Sequence, residues 1–499
     1  MPDFSADPNF LVAPGSPVKM PQHSVIGIDQ GTTATKAFLL HANGEFRQLF
    51  SLEHRQIYPQ SDWVEHDPLE LLAGVERCLE NAGQASGAGL ANQGETVVAW
   101  DADSGKPLYN AIVWQDNRTH AFTERLKADG AEQITLARAG LPLDPYFSAS
   151  KLRWLLDHAP GAAALAQQGR LRLGTSDAFF LDRLCGEYAT DVVTASRTSL
   201  MNLATGEWDT ELCRLFGVPG DLLPPIRATT GRFGSARRSG IPLVAGIVDQ
   251  QAALFGHGCI DPGQTKITFG TGAFALAISG ARRVSAPERG ILPTIAWQLG
   301  GTVSYAIDGG VYNASSALDW AKRLGLFDRH EDIARFDGSS ALERGLVFVP
   351  ALSGLACPYW DRSAAGLWLG LGLDTDRRDL VRAILEGVAL RSAQAIKGMN
   401  ECIPLADSIS IDGGLSRNPY FCEFLAHALG RTLRVPAVAD LTGLGICRLA
   451  LIGAGICDAS TLPPLPVPQR TIVPASALSS ALHDRFGDAV ERARGWRNG

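Results

Sequence analysis

Residues 25–40 read VIGIDQGTTATKAFLL. An apolar run ends in the acid Asp29, Gly31 and the hydroxyls Thr32 and Thr33 follow, and a second apolar run spans Ala37 to Leu40. This order predicts two strands joined by a tight turn that gathers backbone N–H groups and two hydroxyls beside a carboxylate. Turn amides of this kind hold anions. A carboxylate next to an anion suits Mg²⁺, which shares oxygen ligands with phosphates. The segment reads as a phosphate-and-metal site, although a plain hairpin with a polar turn fits these letters equally well when they stand alone.

Working outward, a third apolar run, Phe46 to Leu52, follows the turn at 41–45 and completes a three-strand meander. Asp67-Pro68-Leu69-Glu70 predicts a helix start with an acid cap and Pro in the first turn, running to about Ala82. The same strand, small-hydroxyl turn, strand pattern returns at Thr265 to Thr268, Gly270-Thr271-Gly272 and Ala273 to Ser279. Two copies of one unit predict two similarly built α/β domains facing each other. The turn-rich step Ile260-Asp261-Pro262-Gly263 is the expected boundary. The domain limits expected are a disordered tail over 1–22, an N-terminal domain over 23–260, a C-terminal domain over 261–470 and an extension over 471–499. A long helix is predicted from Asp379 to about Met399, with Asp376 and Asp379 at its start.

The 499 residues exceed one ordinary core. A net charge of −7 gives no basic excess for nucleic acid or an anionic membrane surface. No apolar stretch is long enough to cross a bilayer. Nine cysteines occur singly, without a CxxC pair, and read as small buried hydrophobes of a cytoplasmic protein without disulfides or structural zinc.

Three acids each end an apolar run: Asp29, Asp249 and Asp412. Strand C-termini are where α/β sheets place ligands. Around Asp412, the Gly413-Gly414 pair admits close backbone approach, and Asn418-Pro419 starts a helix expected to end near Gly430. A phosphate or nucleotide edge fits there, and so does a tight turn that needs glycine for its own dihedrals. Gly270-Thr271 offers a second cradle, so that two domains could grip a polyphosphate from both sides. No Walker A motif and no HRD…DFG set occurs in the sequence, which excludes the P-loop and protein-kinase solutions.

With these residues in view, the chain resembles the FGGY carbohydrate kinases, and among them the glycerol kinases. The resemblance runs from Val25 to about Gly455. It rests on IDQGTT (28–33), WVEHDP (63–68), AIVWQDNRT (111–119), GLPLDPYFSASKLRWLLD (140–157), ASRTSL (195–200), VDQQAALFG (248–256), FGTGAF (269–274), VPALSGLACPYWD (349–361) and DGGLSRN (412–418). It implies two ribonuclease-H-like domains of the actin/Hsp70 ATPase type flanking a central cleft, with ATP and Mg²⁺ as cofactors, a small polyol or sugar as substrate, and a homodimer as the common assembly. By position, Asp249 matches the general base and Asp29 the metal-side carboxylate, with Asp249 also near the metal. Thr32, Thr33, Lys36, Gly270 and Thr271 match phosphate contacts. Ser315, Asp319, Gly414 and Asn418 fall on the nucleotide side. Glu95, Trp114, Tyr146, Asp249, Gln250 and Phe274 occupy the polyol-binding places.

The sequence departs from the resembled pattern in four places. Gly94 stands where an Arg partners Glu95, Lys36 where glycerol kinases carry Arg, and Ser315 and Asp319 where they carry Gly and Gln. Arg offers five donors in a rigid fork and Gly offers none. The expectation is therefore a polyol larger than glycerol, such as a tetritol or pentitol, entering the volume that Arg would fill. The alternatives are a glycerol kinase whose missing Arg comes from elsewhere, a non-catalytic sugar-binding regulator, and an actin- or Hsp70-like switch with a protein partner.

Overall fold

The computed structural model describes residues 23–498, so the expected N-terminal tail (1–22) lies outside the described residues. Strands β1 (Ser24–Gln30), β2 (Ala34–His41) and β3 (Phe46–Glu53) form the predicted meander. Helix α1 (Pro68–Glu80) follows, its first turn closed by the Asp67 carboxylate accepting from the Leu69 amide. Strands β4 (Gly87–Asn92) and β5 (Leu243–Val248) complete a five-stranded sheet ordered β5-β4-β1-β2-β3. The meander is antiparallel, whereas β1, β4 and β5 run parallel. Helix α2 (Asp249–Gly256) leaves the end of β5 at once.

The second unit repeats the plan. Strands β6 (Thr265–Phe269), β7 (Ala273–Gly280), β8 (Leu292–Leu299) and β9 (Thr302–Val311) lead into helix α3 (Ser315–Arg323). Helix α4 (Arg377–Cys402) begins two residues before the predicted start, because Asp376 is the cap and Asp379 reaches back to the Asp376 amide. Then come β10 (Ser408–Gly413), α5 (Pro419–Leu429), β11 (Thr432–Val435), α6 (Leu441–Gly453), β12 (Arg470–Ile472) and α7 (Ser480–Ala493). The seven-stranded sheet is ordered β8-β9-β7-β6-β10-β11-β12, with β6, β10 and β11 parallel. The architecture is thus α/β with two domains. Past residue 471, α7 buries Phe486, Val490 and Ala493 in the C-terminal core.

Apolar strands become central because both faces are covered. On one face of the first sheet, Ile26 and Ile28 meet Leu71, Val75 and Leu79 of α1. On the other lies α6, which comes from the C-terminal part of the chain. Its approach depends on two strand glycines: a Cβ on Gly27 would stand 2.5 Å from Cys447 Sγ, and one on Gly89 2.7 Å from the Ile446 side chain. Helices α2 and α6 also cross with bare backbone in contact, Gly445 against the Ala252 carbonyl and Gly256 against the Leu441 carbonyl. The two domains meet along this seam.

Of the cysteines, Cys78, Cys213, Cys259, Cys357, Cys422 and Cys447 are buried and Cys185, Cys402 and Cys457 half-buried. Among the described residues no helix is long and apolar enough to cross a membrane.

Candidate active site

Parallel strands bring their carboxyl ends to one sheet edge. Asp29 ends β1 beside Ala91, and Val248 ends β5 beside Asn92. Asp29, Gly94, Glu95 and Asp249 therefore emerge together. Burial and the neighbouring Asp249 push the Asp29 carboxyl up to about 7. Burial and Glu95 push Asp249 up to about 6, against the Gln250 amide and Lys266. A carboxyl poised near neutral pH is what a general base needs.

The Gly31-Thr32-Thr33 turn is fixed from behind. The Thr32 carbonyl accepts from the Gln56 side-chain amide at 2.7 Å and lies 2.7 Å from the His54 ring nitrogen Nε2, while Thr33 is exposed. The Thr32 hydroxyl accepts from the Trp114 indole N–H at 3.0 Å. Trp114 also meets Tyr146 edge-to-face, with ring centroids 5.7 Å apart. It thereby links the turn to the next cavity. On β2, Lys36 lies opposite Asp29, and its ammonium donates to Asp440 Oδ1 at 2.7 Å.

One cavity is lined by Glu95, Tyr146, Asp249, Gln250 and Phe274, all named from the sequence, together with Arg197 and Asp308. The structure corrects the reading of Gly94 here. It is buried and does not line the cavity, and a Cβ on it would stand 2.9 Å from Val248 Cγ1. A side chain at this position would therefore meet Val248 at its first atom. Glu95 nevertheless has a guanidinium partner, for Arg197 Nε donates to Glu95 Oε1 at 2.7 Å and Arg197 Nη1 lies 3.4 Å from Asp308 Oδ2. Arg197 stands in the quoted ASRTSL stretch, where no role was read for it. Asp308 sits in Ile307-Asp308-Gly309-Gly310, the same four letters as 411–414, and that repeat is the signal by which it could have been found. Lys266 was also missed. It is fully buried and donates to Gln250 Oε1 at 2.7 Å and Thr268 Oγ1 at 2.9 Å.

The second cradle forms where the turn at 270–272 meets α3. The Gly270 carbonyl accepts from the Ser315 amide at 3.1 Å, and the Thr271 carbonyl from the Ala314 and Ser316 amides. Gly414 faces Ser315, since a Cβ there would be 3.6 Å from its hydroxyl. Gly413 has φ +88°, and the Phe269 carbonyl fills the place of a side chain. Asn418 spends its side chain on structure, accepting from the Phe421 amide at 2.9 Å and donating to the Ile333 carbonyl at 2.9 Å. Asp319 is exposed to solvent. The third strand-end acid, Asp412, is engaged with His257 at 3.4 Å, which against burial holds its carboxyl below the usual range.

This donor set fits a magnesium nucleotide. Each domain carries a turn with small hydroxyls and backbone amides, at 31–33 and at 270–272, and Asp29 and Asp249 would supply hard oxygen ligands for a cation that completes its shell with phosphates and water.

The FGGY family of carbohydrate kinases matches the chain with its N-terminal domain over residues 24–256 and its C-terminal domain over 265–454. A glycerol kinase of Citrifermentans bemidjiense is 41% identical over 94% of this chain and 95% of its own. One of Geobacter sp. is 40% identical over 95% and 99%. The crystal structure of Plasmodium falciparum glycerol kinase with ADP superposes with a TM-score of 0.87 at 28% identity, covering 94% of this chain and 98% of that one.

Proposed function

Because this chain belongs to the FGGY family of carbohydrate kinases, and is therefore a phosphotransferase acting on an alcohol group, we propose that it transfers the γ-phosphoryl group of ATP to a terminal hydroxyl of glycerol. The observation that carries this reading is the position of Asp249. Its raised carboxyl shares one cavity with Glu95, Tyr146, Gln250 and Arg197, with only β4 between its strand and the one that leads into the Thr32–Thr33 turn.

The chain's own residues divide the work. Asp249 takes the proton of the attacking hydroxyl as the new O–P bond forms. Glu95 accepts from an acceptor hydroxyl. Tyr146, kept protonated by burial, donates to one. Phe274 packs on the carbon chain, and Trp114 sets both Tyr146 and the Thr32 hydroxyl. Thr32, Thr33, Gly270 and Thr271 hold the phosphates, while Ser315 and Gly414 border the nucleotide. Lys36, drawn from Asp440, moves onto the phosphates. Magnesium bound beside Asp29 would neutralise phosphate charge. Closure of the two domains over the bound substrates excludes water, the competing acceptor.

Glycerol is preferred to a tetritol or pentitol for two structural reasons. Val248 fills the space beside Gly94. Arg197 returns a guanidinium to Glu95. The glycerol kinases among the relatives support the same choice. Measuring kcat/KM for glycerol, erythritol, xylitol and arabinitol with coupled ADP detection tests it. A pentitol or tetritol as best substrate would overturn the acceptor, and no polyol-dependent ADP release at all would overturn the kinase reading.

A further inference from the structure

We propose that Arg197 is the residue that recognises the acceptor's distal hydroxyl, and that Asp308, reaching it from the other domain, makes this recognition depend on the two domains standing together. The inference rests on the kinase reading above and assigns a specificity determinant within it.

Arg197 follows the short helix Val192–Ser196, and its side chain is 7% exposed in the cavity wall. Of its three nitrogens, Nε is taken by Glu95 and Nη1 faces Asp308. Nη2 has no protein partner among the described residues, and it is the part of the fork left to the cavity. The Tyr146 and Phe147 rings, 5.7 and 5.3 Å from the guanidinium carbon, hold the fork on its other sides. Arg197 is also the one cation among the lining residues, which include the carboxylates Glu95, Asp249 and Asp308.

That imbalance gives the assignment its chemical content. Carboxylates accept hydrogen bonds and cannot donate. An alcohol hydroxyl both donates and accepts, so a carboxylate alone satisfies half of it. Glu95 with Arg197 offers an acceptor and a donor side by side, which suits a hydroxyl and rejects a methyl group. Asp308 belongs to β9 of the C-terminal sheet, whereas Arg197 and Glu95 belong to the N-terminal domain. Separation of the domains would remove one of the two carboxylates that orient the fork.

The test compares glycerol with 1,2-propanediol, which keeps a terminal hydroxyl to phosphorylate and lacks the third one. Wild-type enzyme should favour glycerol by about 100-fold in kcat/KM, since an unmatched donor and acceptor discriminate strongly. In Arg197→Lys the preference should fall at least tenfold. Asp308→Asn should lower it as well, with KM for glycerol raised and KM for ATP unchanged. Calorimetric Kd values for both alcohols in the presence of ADP report the same ratio if a variant turns over too slowly, and Asp308→Asn carries the test if Arg197→Lys does not fold. A merely structural Arg197 would weaken both alcohols by one factor, so an unchanged ratio in an active wild-type background overturns this assignment alone. A wild-type enzyme without glycerol-dependent ADP release overturns the kinase reading, and this assignment with it.

Discussion

Lys266 Nζ, sealed inside the C-terminal sheet, donates at 2.7 Å to the side-chain carbonyl of Gln250, the residue next to Asp249. The contact crosses from one domain to the other. Its positive charge also draws the Asp249 carboxyl down, in opposition to burial and Glu95. Removing the charge in Lys266→Met stabilises the protonated carboxyl, so Asp249 titrates at higher pH. The expected result is an acid limb of kcat/KM displaced upward, with activity at pH 6.5 losing more than activity at pH 8.5. KM for the acceptor should rise too, because Gln250 loses its tether. An unmoved limb would show that Lys266 only fills space.

Asp249→Asn removes the base and should reduce kcat by about 10³-fold or more. ATP affinity, measured by calorimetry, should stay within about threefold, because binding does not need the proton transfer. Stability should move the other way. The folded carboxyl titrates near 6 against 3.8 in the unfolded chain, so the folded state binds its proton more tightly. Stability is thus lost as pH rises through this window. The amide avoids that cost, and the variant's Tm at pH 8 should exceed the wild type's, with no gain below pH 4. Near-wild-type turnover would remove Asp249 from the mechanism.

Asp29→Asn should raise the magnesium concentration needed for half-maximal activity severalfold, because a neutral amide is a weaker ligand for a hard cation. Chelation with EDTA should abolish turnover in both proteins. Magnesium titrations that superpose would place Asp29 outside the metal's reach.

Gly94→Arg offers a direct check on the packing beside Glu95. A side chain there meets Val248 Cγ1 at 2.9 Å, and overpacking of this kind costs about 1–3 kcal/mol. The single variant should melt several degrees lower. The pair Gly94→Arg with Val248→Ala should recover most of the loss, since the alanine vacates the contested volume. Additive losses in the double variant would contradict the steric account.

Local chemistry wrote much of this molecule into its letters. The meander at 24–53, its echo at 265–280, the Asp67 and Asp376 helix caps and the Asn418-Pro419 helix start could all be read, because each depends on neighbours within a few residues. Asp29 and Asp249 were legible for a related reason, since strands of a parallel set carry their last residues to a common edge. Glu95 and Gln250 were named only through the family resemblance.

What the sequence could not determine was who stands beside whom across long separations. Gly94 read alone as a missing donor and an open space, yet the fold sets the Val248 side chain against Gly94 and the Arg197 fork onto Glu95, 102 residues away in the chain. Asp308 and Lys266 gained their places only when the two sheets met. An ion pair or a steric contact depends on distance in space, and sequence spacing fixes that distance only within a helix, strand or turn. Beyond it, only the tertiary packing decided which charges line the cavity, like Arg197 and Asp308, and which, like Asp319, face the solvent.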